Sequence, residues 1–546
     1  MRKKKAYLEL LLKDEIVEGV AEHSLISRKA RTSLHDILEA LHRAAKDHKI
    51  SALLLKLERL DSGWARLDDL RRALMLFGRS GKPIFCYLQE GGNAEYYLAS
   101  ACDQIFMPPA SHLLLVGLAA EVFFVRDLMD RLGVEARMQS IGEYKSAAEM
   151  FTRTNMSPEA RQQLDSLLED YYEELCGAIQ GRGFTPEEVG SLIDSGPFTS
   201  REALAHKLID DVCYLDEVSD RLKKQLGEGA RPVPAGKYSA GDGFLKRLFT
   251  FRRARIAVIN VSGPIIMGEN RRNQSGRSVS GADTIGKFLE HAGQSKRAKA
   301  IVLRVNSPGG SGLASDLIWR QIMLAGKKKP VVVSFGDVAA SGGYYIASAG
   351  SRIMAEKTSL TGSIGVLAGK FVAKELMKNL SVQREMLQRG KHAGYVSFFS
   401  EFTKEEEEQL RTQMREFYRD DFLKKVAAAR EMDEDAVDQV ARGRIWSGKK
   451  AKEHNLVDEI GGLIDAIEQA RKLAGIEEKK KTRLVYYYKR RKLWERLMPD
   501  FRSSVMAKLF PASAHDAIDF LEDVGFIDEI GRQKILLLMP FQIKIR

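Results

Sequence analysis

The 546-residue sequence predicts an α/β protein made of two tandem copies of one unit, joined by a short linker and followed by a basic extension. Three observations predict this. Segments recur at one fixed offset, each copy alternates short β-branched apolar runs with helical stretches, and a Gly- and Pro-containing stretch (226–243, LGEGARPVPAGKYSAGDG) lies between the copies.

The offset is read from matched segments. YYLASACDQIF (96–106) resembles YYIASAGSRIM (344–354), a separation of 344 minus 96, or 248. SALLLKL (51–57) falls under KAIVLRV (299–305), and FTSREALAHKLIDDV (198–212) under WSGKKAKEHNLVDEI (446–460), in the same register. GKPIFCY (81–87) matches KKPVVVS (328–334) after a one-residue adjustment. The units run from 1 to 222 and from 254 to 475, with 223–253 as linker and 476–546 as the extension. Within a unit, AIVLRV, PVVVSF and SRIMA read as strands, and ASDLIWRQIMLAGK and TKEEEEQLRTQMREFYRDDFLKKVAAAR as helices. Strand, helix, strand in succession predicts a parallel sheet.

Composition bounds the function. At 44% hydrophobic and 29% charged, the chain is globular in class. The net charge of 86 minus 74, or +12, is concentrated in MRKKK at the start, in residues 246–255, and in KKKTRLVYYYKRRKLWER (479–496). Such clusters fit either an anionic surface, membrane or nucleic acid, or solvated loops, and among partners an anionic membrane surface is expected rather than nucleic acid. Cys86, Cys102, Cys176 and Cys213 show no metal spacing and read as reduced, buried thiols. Apolar runs such as LLLVGLAA (113–120) and ILLLMPF (535–541) fall short of the roughly 18–20 residues of a membrane span. No signal peptide is visible at the start either.

The duplication supplies an internal comparison. His206 and His454 occupy equivalent positions, which favours a structural role for both. Ser341, in GDVAASGGYYIASAG (336–350), stands opposite Asn93, so the first unit lacks that hydroxyl. NSPGGSG (306–312) replaces the ERLDSGW (58–64) of the first unit, and its paired glycines let backbone N–H groups approach a substrate oxygen. Conversely, Lys145 in IGEYKSAAEMF (141–151) stands opposite Ala393. One copy has a serine without the lysine, the other a lysine without the serine.

Taken together and in order, VNSPGGS (305–311), AASGGYYIA (339–347), LTGSIGV (360–366), EYKSA (143–147) and TNMSPEAR (154–161) resemble the signal peptide peptidases of the long, duplicated protease IV type, related to the ClpP/crotonase superfamily. The likeness covers about residues 5 to 470. It implies two tandem ClpP/crotonase-like domains and a serine endopeptidase that degrades hydrophobic peptides such as cleaved signal peptides. By resemblance, Ser341 is the nucleophile and Lys145 the general base, meeting across the domain interface. The N–H groups of Gly310 and Gly342 hold the oxyanion, and Ser363 orients the lysine. No metal or organic cofactor is required, and a homotetramer and membrane association are implied.

The chemistry sets a condition. An ordinary lysine ionises near 10.4, and lowering it to about 7–8 biases against the ammonium by about 4 kcal/mol. Burial away from water does this, provided that Glu143 and Glu149 point elsewhere. The family's N-terminal hydrophobic anchor is missing from the sequence as it stands. A near-helical pattern of Leu493, Trp494, Leu497, Met498, Phe501, Val505 and Leu509 offers either an interfacial helix or an ordinary packing helix, interrupted by Pro499. Two other readings are a crotonase-type acyl-CoA hydratase or isomerase, which needs no serine/lysine pair, and an inactive peptide-binding scaffold.

Overall fold

The computed structural model describes residues 5–18, 32–239, 254–272, 277–477, 480, 482–488 and 536–539. The 493–509 pattern and most of the basic clusters lie outside these residues.

Each unit is built on a parallel sheet. In the first the strand order is Asp211–Val212, Gln104–Met107, Ile84–Leu88, Ile50–Asp61, Ala6–Val17, Arg231–Pro234, all parallel. In the second, Ile445–Ser447, Leu360–Gly362, Val331–Ala340, Ala298–Ser307, Arg255–Ser262 and Arg483–Tyr487 follow one another, with only Ile445–Ser447 antiparallel. The central strands are buried almost throughout, which is why AIVLRV and PVVVSF show no apolar/polar alternation and why even Arg304 and Ser334 within them are buried.

The repeat is kept down to single hydrogen bonds. Tyr96 donates to Leu208 O at 2.7 Å, and Tyr344 donates to Leu456 O at 2.8 Å. Tyr97 donates to Asp68 at 2.5 Å, and Tyr345 to Asp316 at 2.8 Å. In each case donor and acceptor are both shifted by the sequence offset. His206 rests on Phe198 and His454 on Trp446, with ring centroids 5.3 and 4.2 Å apart, the structural role expected for both. One expectation fails: Cys176 is only partly buried, packed at the margin of the core on the Pro158–Gln180 helix, whereas Cys86, Cys102 and Cys213 are buried free thiols.

Two features lock the units together. A third sheet pairs Glu135–Ile141 of the first unit antiparallel with Val366–Val372 of the second, from Ile141 opposite Val366 to Glu135 opposite Val372. The Pro158–Gln180 helix also docks on the second unit, where Gln163 accepts from Ile445 N–H at 3.2 Å and Asp170 from the Ser447 hydroxyl at 2.6 Å. Beneath them lies a buried charge network. Arg304 reaches Asp69 at 2.7 Å and Glu18 at 2.8 Å, and Arg66 reaches Asp337 at 2.5 Å. Arg72 holds the fully buried Glu356 at 2.7 Å, and burial still pushes that carboxyl up to about 8. No helix among the described residues is long and apolar enough to cross a membrane.

Candidate active site

Ser341 lies at the tip of the Val331–Ala340 strand, immediately before the Gly342–Ala347 helix. Its backbone has φ 56° and ψ −114°, a conformation that costs a non-glycine residue about 1–3 kcal/mol and is kept where the surroundings over-determine it. Here its N–H donates to Gly362 O at 2.8 Å and its carbonyl accepts from Tyr345 N–H at 2.8 Å. The small residues around it in AASGGYYIA fit this crowding. A Cβ on Gly343 would lie 2.7 Å from Ser307 O, and one on Gly342 would lie 2.7 Å from Ser315 Oγ.

Strand pairing between the units delivers the lysine. Glu135–Ile141 ends four residues before Lys145, and its partner Val366–Val372 begins three residues after Ser363, so the antiparallel register brings the two together. A turn then fixes the lysine backbone: Lys145 N–H donates to Gly142 O at 3.1 Å, and Tyr144 N–H to Arg442 O at 2.9 Å. Gly443 packs against that turn, where an added Cβ would lie 2.6 Å from the Lys145 Cβ. Nothing in the sequence marked Gly443, which combines a φ of 81°, a conformation that favours glycine, with this close approach of the other unit.

The amine of Lys145 lies 2.7 Å from Ser341 Oγ, 2.9 Å from Ser363 Oγ and 2.8 Å from Ser363 O. A neutral amine has two N–H groups and one lone pair, so it can donate to both Ser363 oxygens and accept the Ser341 hydroxyl proton. Ser341 and Ser363 are wholly buried and Lys145 is 3% exposed. Burial alone lowers the lysine pKa well below the ordinary value, with no carboxylate opposing it. Glu149 is turned away to accept from Ser157 N–H and Oγ at 3.0 and 2.6 Å, and Glu143 reaches only Arg442, at 3.7 Å.

The glycines converge beside the serine. Gly309 and Gly310 have φ of 105° and 152°, a region open to glycine. A Cβ on Gly342 would lie 3.2 Å from Gly310 N, and one on Gly309 would lie 2.8 Å from Gly342 N, so the two amide nitrogens border one small space. In the first unit the Asn93 amide spans the corresponding place, donating to Gly117 O at 2.7 Å and accepting from Val116 N–H at 3.3 Å. Among the described residues of the second unit no such amide spans the place, and the strand Leu536–Leu538 pairs with Gly309–Ser311 beside it. The arrangement as a whole provides a hydroxyl, an uncharged base and two adjacent N–H donors, which are the parts of covalent acyl transfer.

With this geometry in view, the family comparison is direct. The model of "Peptidase family S49" matches residues 77–228 and 324–477. The chain belongs to peptidase family S49. This S49 chain is 36% identical over 457 residues to "Serine protease SPPA, chloroplastic" of Arabidopsis thaliana, covering 83% of itself and 67% of the relative. It is 31% identical to "Protease 4" of Salmonella typhi, covering 88% and 78%, and 31% identical to that of Haemophilus influenzae, covering 84% and 75%. The S49 membership makes the chain a serine-type peptidase and removes the crotonase-type hydratase reading.

Two expected outcomes follow from the site. The first concerns pH: only the free amine accepts the serine proton, so kcat/KM rises with pH through the lowered lysine pKa and then levels off. A pH–rate profile should show its midpoint well below the ordinary 10.4. A rate still climbing tenfold per pH unit near pH 10 would contradict a buried neutral base. The second concerns Gly310→Ala, whose new Cβ would lie 2.6 Å from Ile265 N and 2.8 Å from Ile265 C. If the Gly310 N–H holds an oxyanion, displacing it should lower kcat by about 10²–10³-fold, with the circular dichroism spectrum unchanged.

Proposed function

We propose that this S49 peptidase hydrolyses hydrophobic peptides, such as cleaved signal peptides, with Ser341 as nucleophile and Lys145 as general base. The observation that carries this reading is the 2.7 Å approach of a fully buried, carboxylate-free lysine amine to the Ser341 hydroxyl. Ser341 Oγ attacks the peptide carbonyl while Lys145 takes its proton and returns it to the leaving amine. The Gly310 and Gly342 N–H groups hold the oxyanion, and water then hydrolyses the ester with the lysine again as base. Ser363 acts on the lysine, directing its lone pair at Ser341.

The apolar character of the neighbourhood supports the substrate class. Ala147, Leu367, Leu536 and Leu538 form a buried cluster beside the paired strands next to the lysine, with Met138 and Ala148 packed against it. The test is hydrolysis of a fluorogenic peptide with apolar residues before the scissile bond, compared with a charged peptide of equal length. Preference for the apolar peptide is expected. Equal turnover of both would overturn the substrate class, and stoichiometric binding without turnover would favour the inactive scaffold.

A further inference from the structure

The turn that carries Lys145 is gripped by a side chain that takes no part in the proton transfer. Gln163, on the Pro158–Gln180 helix of the first unit, is 3% exposed. Its Nε2 donates to Ser146 Oγ at 2.9 Å and to Tyr144 O at 3.2 Å, so it holds both neighbours of the lysine. Its Oε1 accepts from Ile445 N–H of the second unit at 3.2 Å. These partners fix which way the amide points, because a carbonyl oxygen only accepts and a backbone N–H only donates.

Ile445 belongs to the segment that frames Ser341 and Ser363. It lies opposite Gly362 in the antiparallel pair with Leu360–Gly362, and Gly362 O accepts from Ser341 N–H at 2.8 Å. Ser363 N–H donates to Arg444 O at 2.6 Å, and Gly443 N–H donates to Ile364 O at 2.7 Å, so residues 443–445 bracket Ser363. One amide thus ties both neighbours of the base, in one unit, to the bracket around its partners in the other.

The bridge is also neutral. A glutamate has nearly the same shape, but its carboxylate only accepts, and its charge would favour the ammonium form of a buried lysine. Charged groups around the turn are engaged elsewhere: Glu149 with Ser157, Glu143 and Asp438 with Arg442, and Asp170 with Ser447 Oγ at 2.6 Å and Lys450 at 2.9 Å. The Arg444 guanidinium lies over the rings of Tyr144 and Trp446, at 5.0 and 4.2 Å. Building on the serine/lysine reading, we propose that Gln163 is a positioning residue, which locks the base opposite Ser341 across the unit boundary with a group that brings no charge to the amine.

The test is the pH dependence of kcat and KM on an apolar fluorogenic peptide for wild type, Gln163→Glu, Gln163→Leu and Lys145→Met, with melting curves to follow folding. In Gln163→Glu the midpoint of the rise is expected to move up by about one pH unit or more, so activity falls about tenfold below the midpoint and returns at high pH. In Gln163→Leu, which keeps the bulk and loses the hydrogen bonds, kcat is expected to fall about tenfold to a hundredfold with KM nearly unchanged. A glutamine that only supports the fold would lower the melting temperature of both variants yet leave the midpoint and kcat of the folded protein at wild-type values. That result, beside an inactive Lys145→Met, would overturn the positioning role and leave the serine/lysine reading standing. Wild-type hydrolysis by Lys145→Met would sink both.

Discussion

Lys145→Met and Ser341→Ala are each expected to lower peptide hydrolysis by about 10⁴–10⁶-fold, and the double variant should be no worse than either single one. The two groups act as one unit: without the amine nothing removes the serine proton, and without the hydroxyl the amine has nothing to activate. Steady-state rates on one apolar peptide check this, and additive losses would mean that the groups act independently. Stability should move the other way in Lys145→Met. The folded-state pKa of Lys145 lies well below its unfolded value, so between the two the unfolded chain holds a proton that the folded chain does not. Stability from this group is therefore withheld at low pH and rises with pH toward about 10.4. Methionine removes the penalty, so its melting temperature should exceed that of wild type near pH 7, with the gap closing toward pH 10.

Arg304→Ala is expected to destabilise the fold by about 3–5 kcal/mol, because it strands buried carboxylates rather than removing a surface charge. Arg304 is 1% exposed and is shared between Asp69 and Glu18 of the first unit, while it also donates to Phe335 O at 2.6 Å and Ser334 Oγ at 2.9 Å. Burial already pushes the Asp69 carboxyl up against the pull of this guanidinium, and losing Arg304 removes that pull. Because Lys145 and Ser341 meet across the same boundary, activity should fall with stability. Denaturant unfolding beside kcat/KM measures both. Replacing Arg304, Asp69 and Glu18 together by apolar residues should recover much of the stability, and a triple variant as weak as Arg304→Ala would count against this account.

The duplication, the parallel α/β class and the candidate residues were all legible in the sequence because each leaves a local trace. A fixed offset exposes the repeat, β-branched runs without alternation mark strands covered on both faces, and a reactive residue present in only one copy stands out against its partner. Ser341, Lys145, Ser363, Gly310 and Gly342 could be named from such traces together with a family resemblance. Three things had no local trace. The lowered pKa of Lys145 depends on every group packed around it, including the carboxylates of Glu143 and Glu149 that turn away. The requirement for glycine at 443 comes from its positive φ together with the lysine turn that presses on it from the other unit. The placing of Leu536–Leu538 beside Gly310 is a pairing between segments more than two hundred residues apart, and the sequence showed it only as an apolar run. Periodicity and spacing are properties of neighbouring residues, whereas dehydration, close approach and strand register are set by which distant segments the fold brings into contact.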